Sequence, residues 1–214
     1  MSGRPFKTLI AIAAPLLRDN INTDVIIPSR EIKHVSRRGL ADGLFADWRY
    51  TAVGGRDSDP AFVLNDPRYA GCAILVTGAN FGCGSSREHA AWALAEYGFR
   101  VILAESFNPI FRGNAVLNGI VPVVLPRPEL EKTAALVSQN PAAHRVTVDL
   151  PAMLVVAPDG ISTPFDLDAE SRDMLLNGLD TIDLTLKRRS EIDTFRAADL
   201  ARRPWAYPPG SSDF

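Results

Sequence analysis

The apolar positions are most regular in the middle of the chain. Residues 72–77 (CAILVT) form a continuous apolar run, which predicts a strand buried on both faces. A glycine-bearing turn covers 78–84, and residues 86–97 predict a helix. Ala90, Ala91, Ala93, Leu94 and Tyr97 are available for packing, and Gly98 acts as a stop. Residues 101–104 form a second strand. The strand–helix–strand order predicts a parallel pair joined by a right-handed crossover. Pro109 opens a further helix ending near Gly119, and 121–125 form a third strand. Upstream, residues 6–13 read as a short strand. Asp19-Asn20-Ile21-Asn22-Thr23-Asp24 reads as a polar turn, and Pro28 stops the apolar Val25-Ile26-Ile27. Residues 30–60 show no sustained period, which in a compact domain marks a functional or mobile loop. Beyond Pro126 the pattern predicts helices over 128–139, 168–177 and 187–200, and short strands over 146–148 and 154–156 with a turn at Asp159-Gly160. The expected fold class is α/β, a single domain over 1–203 followed by a proline-bearing tail over 204–214. The chemistry is expected in the first 125 residues.

Composition narrows the function classes. Over 214 residues the chain is 46% hydrophobic and 22% charged with a net charge of -2. That balance is ordinary for a globular protein and excludes a general binder of nucleic acid or acidic membranes. No apolar run reaches membrane-spanning length, and no leader pattern stands at the N-terminus, so a cytoplasmic location is expected. Two cysteines, Cys72 and Cys83, make no disulfide framework. With three scattered histidines (His34, His89, His144) they do not supply the three or four ligands of a zinc or iron–sulfur site, so no metal is expected on this chain.

The candidate chemistry lies in Gly82-Cys83-Gly84-Ser85-Ser86-Arg87-Glu88-His89. Ser85 and Glu88 have capping-box spacing, so a plain helix cap is one reading of the serine. The other is an anion site. Gly82 and Gly84 open the backbone to a ligand, the helix start offers unpaired amides, and Arg87 adds a bidentate cation. The same features stabilise a serine alkoxide, making Ser85 a candidate base toward a C–H proton. The segment lacks the G-x-S-x-G elbow of a hydrolase, the phosphate-loop ending and the dinucleotide glycine pattern. His89 lies one helical turn beyond Ser85, either as its partner or as a buried orienting residue.

Asn20-Ile21-Asn22-Thr23-Asp24-Val25-Ile26-Ile27-Pro28 and Asn80-Phe81-Gly82-Cys83-Gly84-Ser85-Ser86-Arg87-Glu88-His89-Ala90 resemble the small-subunit family of 3-isopropylmalate dehydratase, in the aconitase superfamily. The likeness continues through Leu44-Phe45-Ala46-Asp47-Trp48-Arg49, Phe111-Arg112-Gly113-Asn114 and Asn177-Gly178-Leu179-Asp180, over nearly the whole chain. The resemblance implies a swivelling β/β/α domain like the C-terminal domain of aconitase. It also implies a hydro-lyase of leucine biosynthesis that works as a heterodimer with a large subunit, and a 4Fe-4S cluster held by that partner. By the same resemblance Ser85 is the catalytic base, and Ser86, Arg87, Gly84 and Asp24 bind a di- or tricarboxylate. A recognition loop over 29–39 includes Ile32, Lys33, His34, Val35 and Arg37. Two stretches depart from the commoner pattern: Gly78-Ala79 stands where many relatives carry Arg-Glu, and Ser29 to Val35 differs from the Lys-Gln-Phe-Leu type. These bear on the choice among isopropylmalate, homoaconitate and methylmalate-like acids. A stand-alone hydrolase using Ser85 or Cys83 with His89 is the alternative of a different class.

Overall fold

Two four-stranded sheets organise the chain in the computed structural model, which describes residues 4–32, 36–84 and 87–207. Strands β1 (Thr8–Ala11) and β2 (Ala13–Leu16) open it, followed by the short helices α1 (Thr23–Ile26) and α2 (Ala46–Arg49). The regular middle then runs β3 (Ile74–Thr77), α3 (Glu88–Tyr97), β4 (Val101–Ala104), α4 (Pro109–Leu117), β5 (Val121–Val124) and α5 (Arg127–Gln139). Strands β6 (Val146–Asp149), β7 (Leu154–Val156) and β8 (Ser162–Pro164) come next, and helices α6 (Ala169–Asn177), α7 (Thr181–Leu186) and α8 (Arg189–Arg202) end the regular structure.

The first sheet is parallel, in the order β2-β3-β4-β5, and the second is antiparallel, β1-β6-β7-β8. The expected parallel β3–α3–β4 unit is present, with Ile74 paired to Val101. The single strand expected over 6–13 is instead two strands in different sheets, separated by Ile12. An unbroken apolar stretch carries no mark of where it changes partners. The prolines confirm the sheet's edges. Pro15 lies in β2 and Pro122 in β5, the two outer strands, where a missing N–H leaves no neighbour unpaired.

Alternation along the parallel strands builds two cores. Leu75, Ile102 and Ala104 face Ala90, Ala93 and Leu94 of α3 and Phe111 and Ala115 of α4. Ile74, Val76, Val101 and Leu103 face Leu130, Ala134 and Val137 of α5, Val146, Val148 and Val155 of the antiparallel sheet, and Met174 and Leu175 of α6. Both faces of β3 and β4 are therefore buried, which explains their continuous apolar runs.

The described residues of 30–60 pack into the first core without forming long elements. Leu40, Leu44 and Phe45 are buried there, with Trp48 and Phe62 clustered on Phe45 at ring-centroid distances of 6.0 Å. Glu31 is buried too, and Arg56 donates to its Oε2 at 2.5 Å. A segment ordered by isolated anchors shows no period. The sequence reading missed α7, which is held by a capping box between Asp180 and Asp183. No residue of α8 is buried, and Trp205 beyond it is 80% exposed. No helix among the described residues is long and apolar enough to cross a membrane.

Two outcomes test this packing. Gly82 has φ +74°, and a Cβ there would fall 2.1 Å from Phe111 Cγ. Gly82→Ala is expected to destabilise the chain by about 2–4 kcal/mol, read as a lower urea midpoint. Burial pushes the Cys72 thiol up to about 11. Iodoacetamide at about pH 8 is expected to spare Cys72 in the native protein and modify it after unfolding.

Candidate active site at the carboxyl ends of the parallel strands

Loops leaving the carboxyl ends of β2, β3 and β4 meet beyond the sheet, where open parallel sheets hold their ligands. Backbone bonds zip the first two together. Asn20 N–H donates to Ala79 O at 2.9 Å, Gly82 N–H to Ile21 O at 2.8 Å, and Thr23 N–H to Cys83 O at 2.9 Å. Asn80 Nδ2 donates to Asn20 Oδ1 at 2.8 Å. The third loop joins through Phe81 N–H to Ser106 O at 3.0 Å and Asn108 N–H to Phe81 O at 2.9 Å. Asp19 accepts from the Ala79 amide and from Arg127, which together hold its carboxyl below the usual range.

This zipper carries the charged pair of the site. Asn22 caps α1 by accepting from Val25 N–H at 2.8 Å, and Asp24 follows as the second residue of that helix. Arg87 Nη1 donates to Asp24 Oδ1 and to Ser29 Oγ, the latter at 2.9 Å, and Ser29 Oγ lies 3.4 Å from Asp24 Oδ1. The Arg87 side chain keeps 25% of its surface exposed and that of Asp24 keeps 53%. The guanidinium is therefore held in place, reachable from solvent, at the foot of α3. Such a group can clamp a carboxylate. Gly84 is exposed beside it, and a Cβ there would come 3.3 Å from Asn22 Cβ.

The cap reading of Ser85 places Glu88 at the third helical position. Helix α3 begins at Glu88, with extended Arg87 at its cap position and no side-chain cap bond. Glu88 is thus the first helical residue, where a capping box needs the third. Its Oε1 accepts from Trp92 Nε1 at 3.0 Å and from Asn118 Nδ2 at 3.3 Å. Ser85 and Ser86, like Lys33, His34 and Val35, lie outside the described residues. His89 packs edge-on against Trp92 with ring centroids 4.6 Å apart.

The remaining expected positions divide. Ile32 is half-buried against the first core. Arg37 lies over the Trp92 ring at 4.9 Å, with Nη2 3.9 Å from Glu88 Oε1. Sequence reasoning missed three contributors: Ser29 as a partner of Arg87, Ser106, whose Oγ accepts from Asn80 N–H at 2.8 Å, and Glu96. The Glu96 carboxylate accepts N–H bonds from Gly39 at 2.6 Å, Leu40 at 2.5 Å and Ala41 at 3.0 Å. One sequence signal for Glu96 exists: an acidic residue in the last turn of a helix opposes the helix dipole and calls for a tertiary partner.

The two thiols do not fit a shared metal cluster. Cys72 is buried before the start of β3, and half-buried Cys83 lies beyond its end, so the strand's length separates them. Among the described residues no group of three or more metal-binding side chains gathers.

Comparison with known proteins agrees with this architecture. Residues 4–128 match the family described as the aconitase C-terminal domain, and residues 134–169 match the family described as LeuD_N. The 3-isopropylmalate dehydratase small subunit of Cupriavidus necator is 56% identical over 206 residues, covering 96% of this chain and 99% of that protein. Proteins of the same name from Dechloromonas aromatica and Sinorhizobium medicae are 46% and 48% identical, each covering 94% of this chain and 98% of its own. The crystal structure of a 3-isopropylmalate dehydratase from Methanocaldococcus jannaschii superposes with a TM-score of 0.63 at 25% identity, covering 88% of this chain and 99% of that one. With its two-sheet α/β fold and matches over nearly its whole length, the chain belongs to the aconitase C-terminal domain family and, within it, to the 3-isopropylmalate dehydratase small subunits.

Proposed function

We propose that this chain is the small subunit of a two-subunit cytoplasmic hydro-lyase that interconverts 2-isopropylmalate and 3-isopropylmalate in leucine biosynthesis, by dehydration and rehydration. The observation that carries the reading is the Arg87 guanidinium, held by Asp24 and Ser29 where the β2 and β3 loops join. A di-acid substrate needs such a clamp, and a fixed one keeps the reacting carbon in register. Ser85 stands two residues before it and acts as the base. It removes the proton from the carbon beside a carboxylate, and the hydroxyl leaves the neighbouring carbon as hydroxide. Ser86 and the backbone at Gly84 help hold the carboxylate. Hydroxide then returns to the alkene diacid at the carbon that lost its proton, and the proton goes back from Ser85 to the carbon that lost the hydroxyl. A 4Fe-4S cluster belongs to the large subunit in this reading, and when bound it supplies Lewis acidity toward the substrate hydroxyl.

The distal substrate group is apolar in this reading. Arginines near the recognition segment are matched by acids of the same chain: Arg30 with Asp47 and Glu31, and Arg56 with Glu31. Arg37 lies over Trp92 beside Glu88. With Arg30 and Arg56 engaged by Asp47 and the buried Glu31, this reading favours an isopropyl group over a second distal carboxylate.

In the complex reconstituted with its large subunit, Ser85→Ala is expected to lower kcat by about 10³-fold, with assembly on a sizing column unchanged. Near-normal turnover would remove Ser85 from the mechanism. Arg87→Lys keeps the charge but loses the fork. Steady-state kinetics are expected to show kcat/KM about 10–100-fold lower. Among isopropylmalate, methylmalate and homoaconitate, the highest kcat/KM is expected for isopropylmalate, and a preference for homoaconitate would reverse the substrate assignment.

A further inference from the structure

Helix α3 carries Glu88, Trp92 and Glu96 at four-residue intervals, which places them along one stripe. All three engage the limb of chain that returns from the recognition segment. At the far end Glu96 takes the amides of Gly39, Leu40 and Ala41 on its two oxygens. Burial pushes its carboxyl up, but the three amides and nearby Arg38 together hold it below the usual carboxylate range. One turn back, Trp92 donates to Glu88 and lies beneath the Arg37 guanidinium. Glu88 is fixed in turn by Asn118 of the α4 C-cap. Immediately before the stripe stands Arg87, paired with Asp24.

The Arg37–Glu88 contact is exposed and long at 3.9 Å, so it adds little alone. Glu96 is different. A carboxylate on three consecutive amides makes charge-assisted bonds that fix backbone as well as side chain. Its place in the last helical turn opposes the helix dipole, so the helix itself gains nothing from it. Glutamate there serves the loop.

We propose that Glu96, supported by Trp92 and Glu88, is a specificity-determining positioning residue that holds the 37–41 limb at a fixed distance from the Arg87 clamp. It rests on the reading of Arg87 and the recognition segment given above. One helix then carries both, the Arg87 clamp at its start and, through Glu96, the 37–41 limb at its end. Glu96 touches no reacting atom and acts through the backbone it holds.

Glu96→Gln in the reconstituted complex tests this, because the new amide sets a donor against backbone donors. KM for isopropylmalate is expected to rise about tenfold with kcat within about twofold. The preference in kcat/KM for isopropylmalate over an analogue bearing methyl in place of isopropyl is expected to fall about tenfold. Tryptic cleavage after Arg37 and Arg38 is expected to quicken about tenfold as the limb is released. Trp92→Phe keeps a ring under Arg37 but loses the bond to Glu88, and is expected to shift the same three readouts less. An unchanged preference and cleavage rate in Glu96→Gln would overturn the proposal, and so would an equal loss of kcat on both substrates. Ser85→Ala and Arg87→Lys, assayed alongside, separate the two readings. If they stay active, the active-site assignment fails. If they are impaired while Glu96→Gln keeps its selectivity, the positioning role alone fails.

Discussion

Three backbone hydrogen bonds, Asn20 to Ala79, Gly82 to Ile21 and Thr23 to Cys83, join the loops that leave β2 and β3, and the site depends on them. They involve no side chain, so their register comes from backbone geometry. That register places Asp24 within reach of Arg87, 63 residues further along the chain. Gly82 makes it possible, because its backbone lies against the Phe111 ring where a methyl group would not fit. Phe111 in turn packs with Phe81 and Phe107 in the core under the third loop. A close backbone approach, an aromatic cluster and a charged pair thus form one physical unit.

Charge around this unit is paired within the chain. The segment after α1 carries Arg30, Lys33, His34, Arg37 and Arg38, and in the fold Arg30 meets Glu31 and Asp47 while Arg37 lies 3.9 Å from Glu88 of α3. Glu31 is nearly buried and takes cations from two directions, Arg30 and Arg56. Taking that carboxylate out of water is tolerable because it is paired and hydrogen-bonded. Arg87, too, is held by its own chain, at a place where solvent still reaches it.

The division of labour with a partner follows from chemistry as well as kinship. Arginine forks, hydroxyls and helix amides bind and orient anions and stabilise an alkoxide, but they do not make a hydroxide a good leaving group. Cys72 and Cys83, at opposite ends of β3, do not add that ability. The large subunit implied by the family is where this reading locates it.

The sequence by itself determined the parallel β3–α3–β4–α4–β5 unit, because burial on both strand faces writes continuous apolar runs and glycines mark the turns. It also marked the junction around Arg87 as the candidate site, because loop glycines, hydroxyls and a guanidinium are local chemistry. What it left open was non-local. The strand over 6–13 divides between two sheets because its partners, β3 and β6, lie far along the chain. The Ser85–Glu88 spacing fits a cap, but α3 starts at Glu88, since Arg87 is drawn to Asp24 and Ser29 and the Glu88 carboxylate bonds Trp92. Residues 30–60 lack a period because the described part of them is held by single buried anchors, an inward-facing glutamate and three amides on Glu96. Local propensity and periodicity are properties of neighbours in sequence. The pairing of Asp24 with Arg87 and of Glu96 with the 39–41 amides joins residues more than 50 positions apart, and only the assembled sheets bring them together.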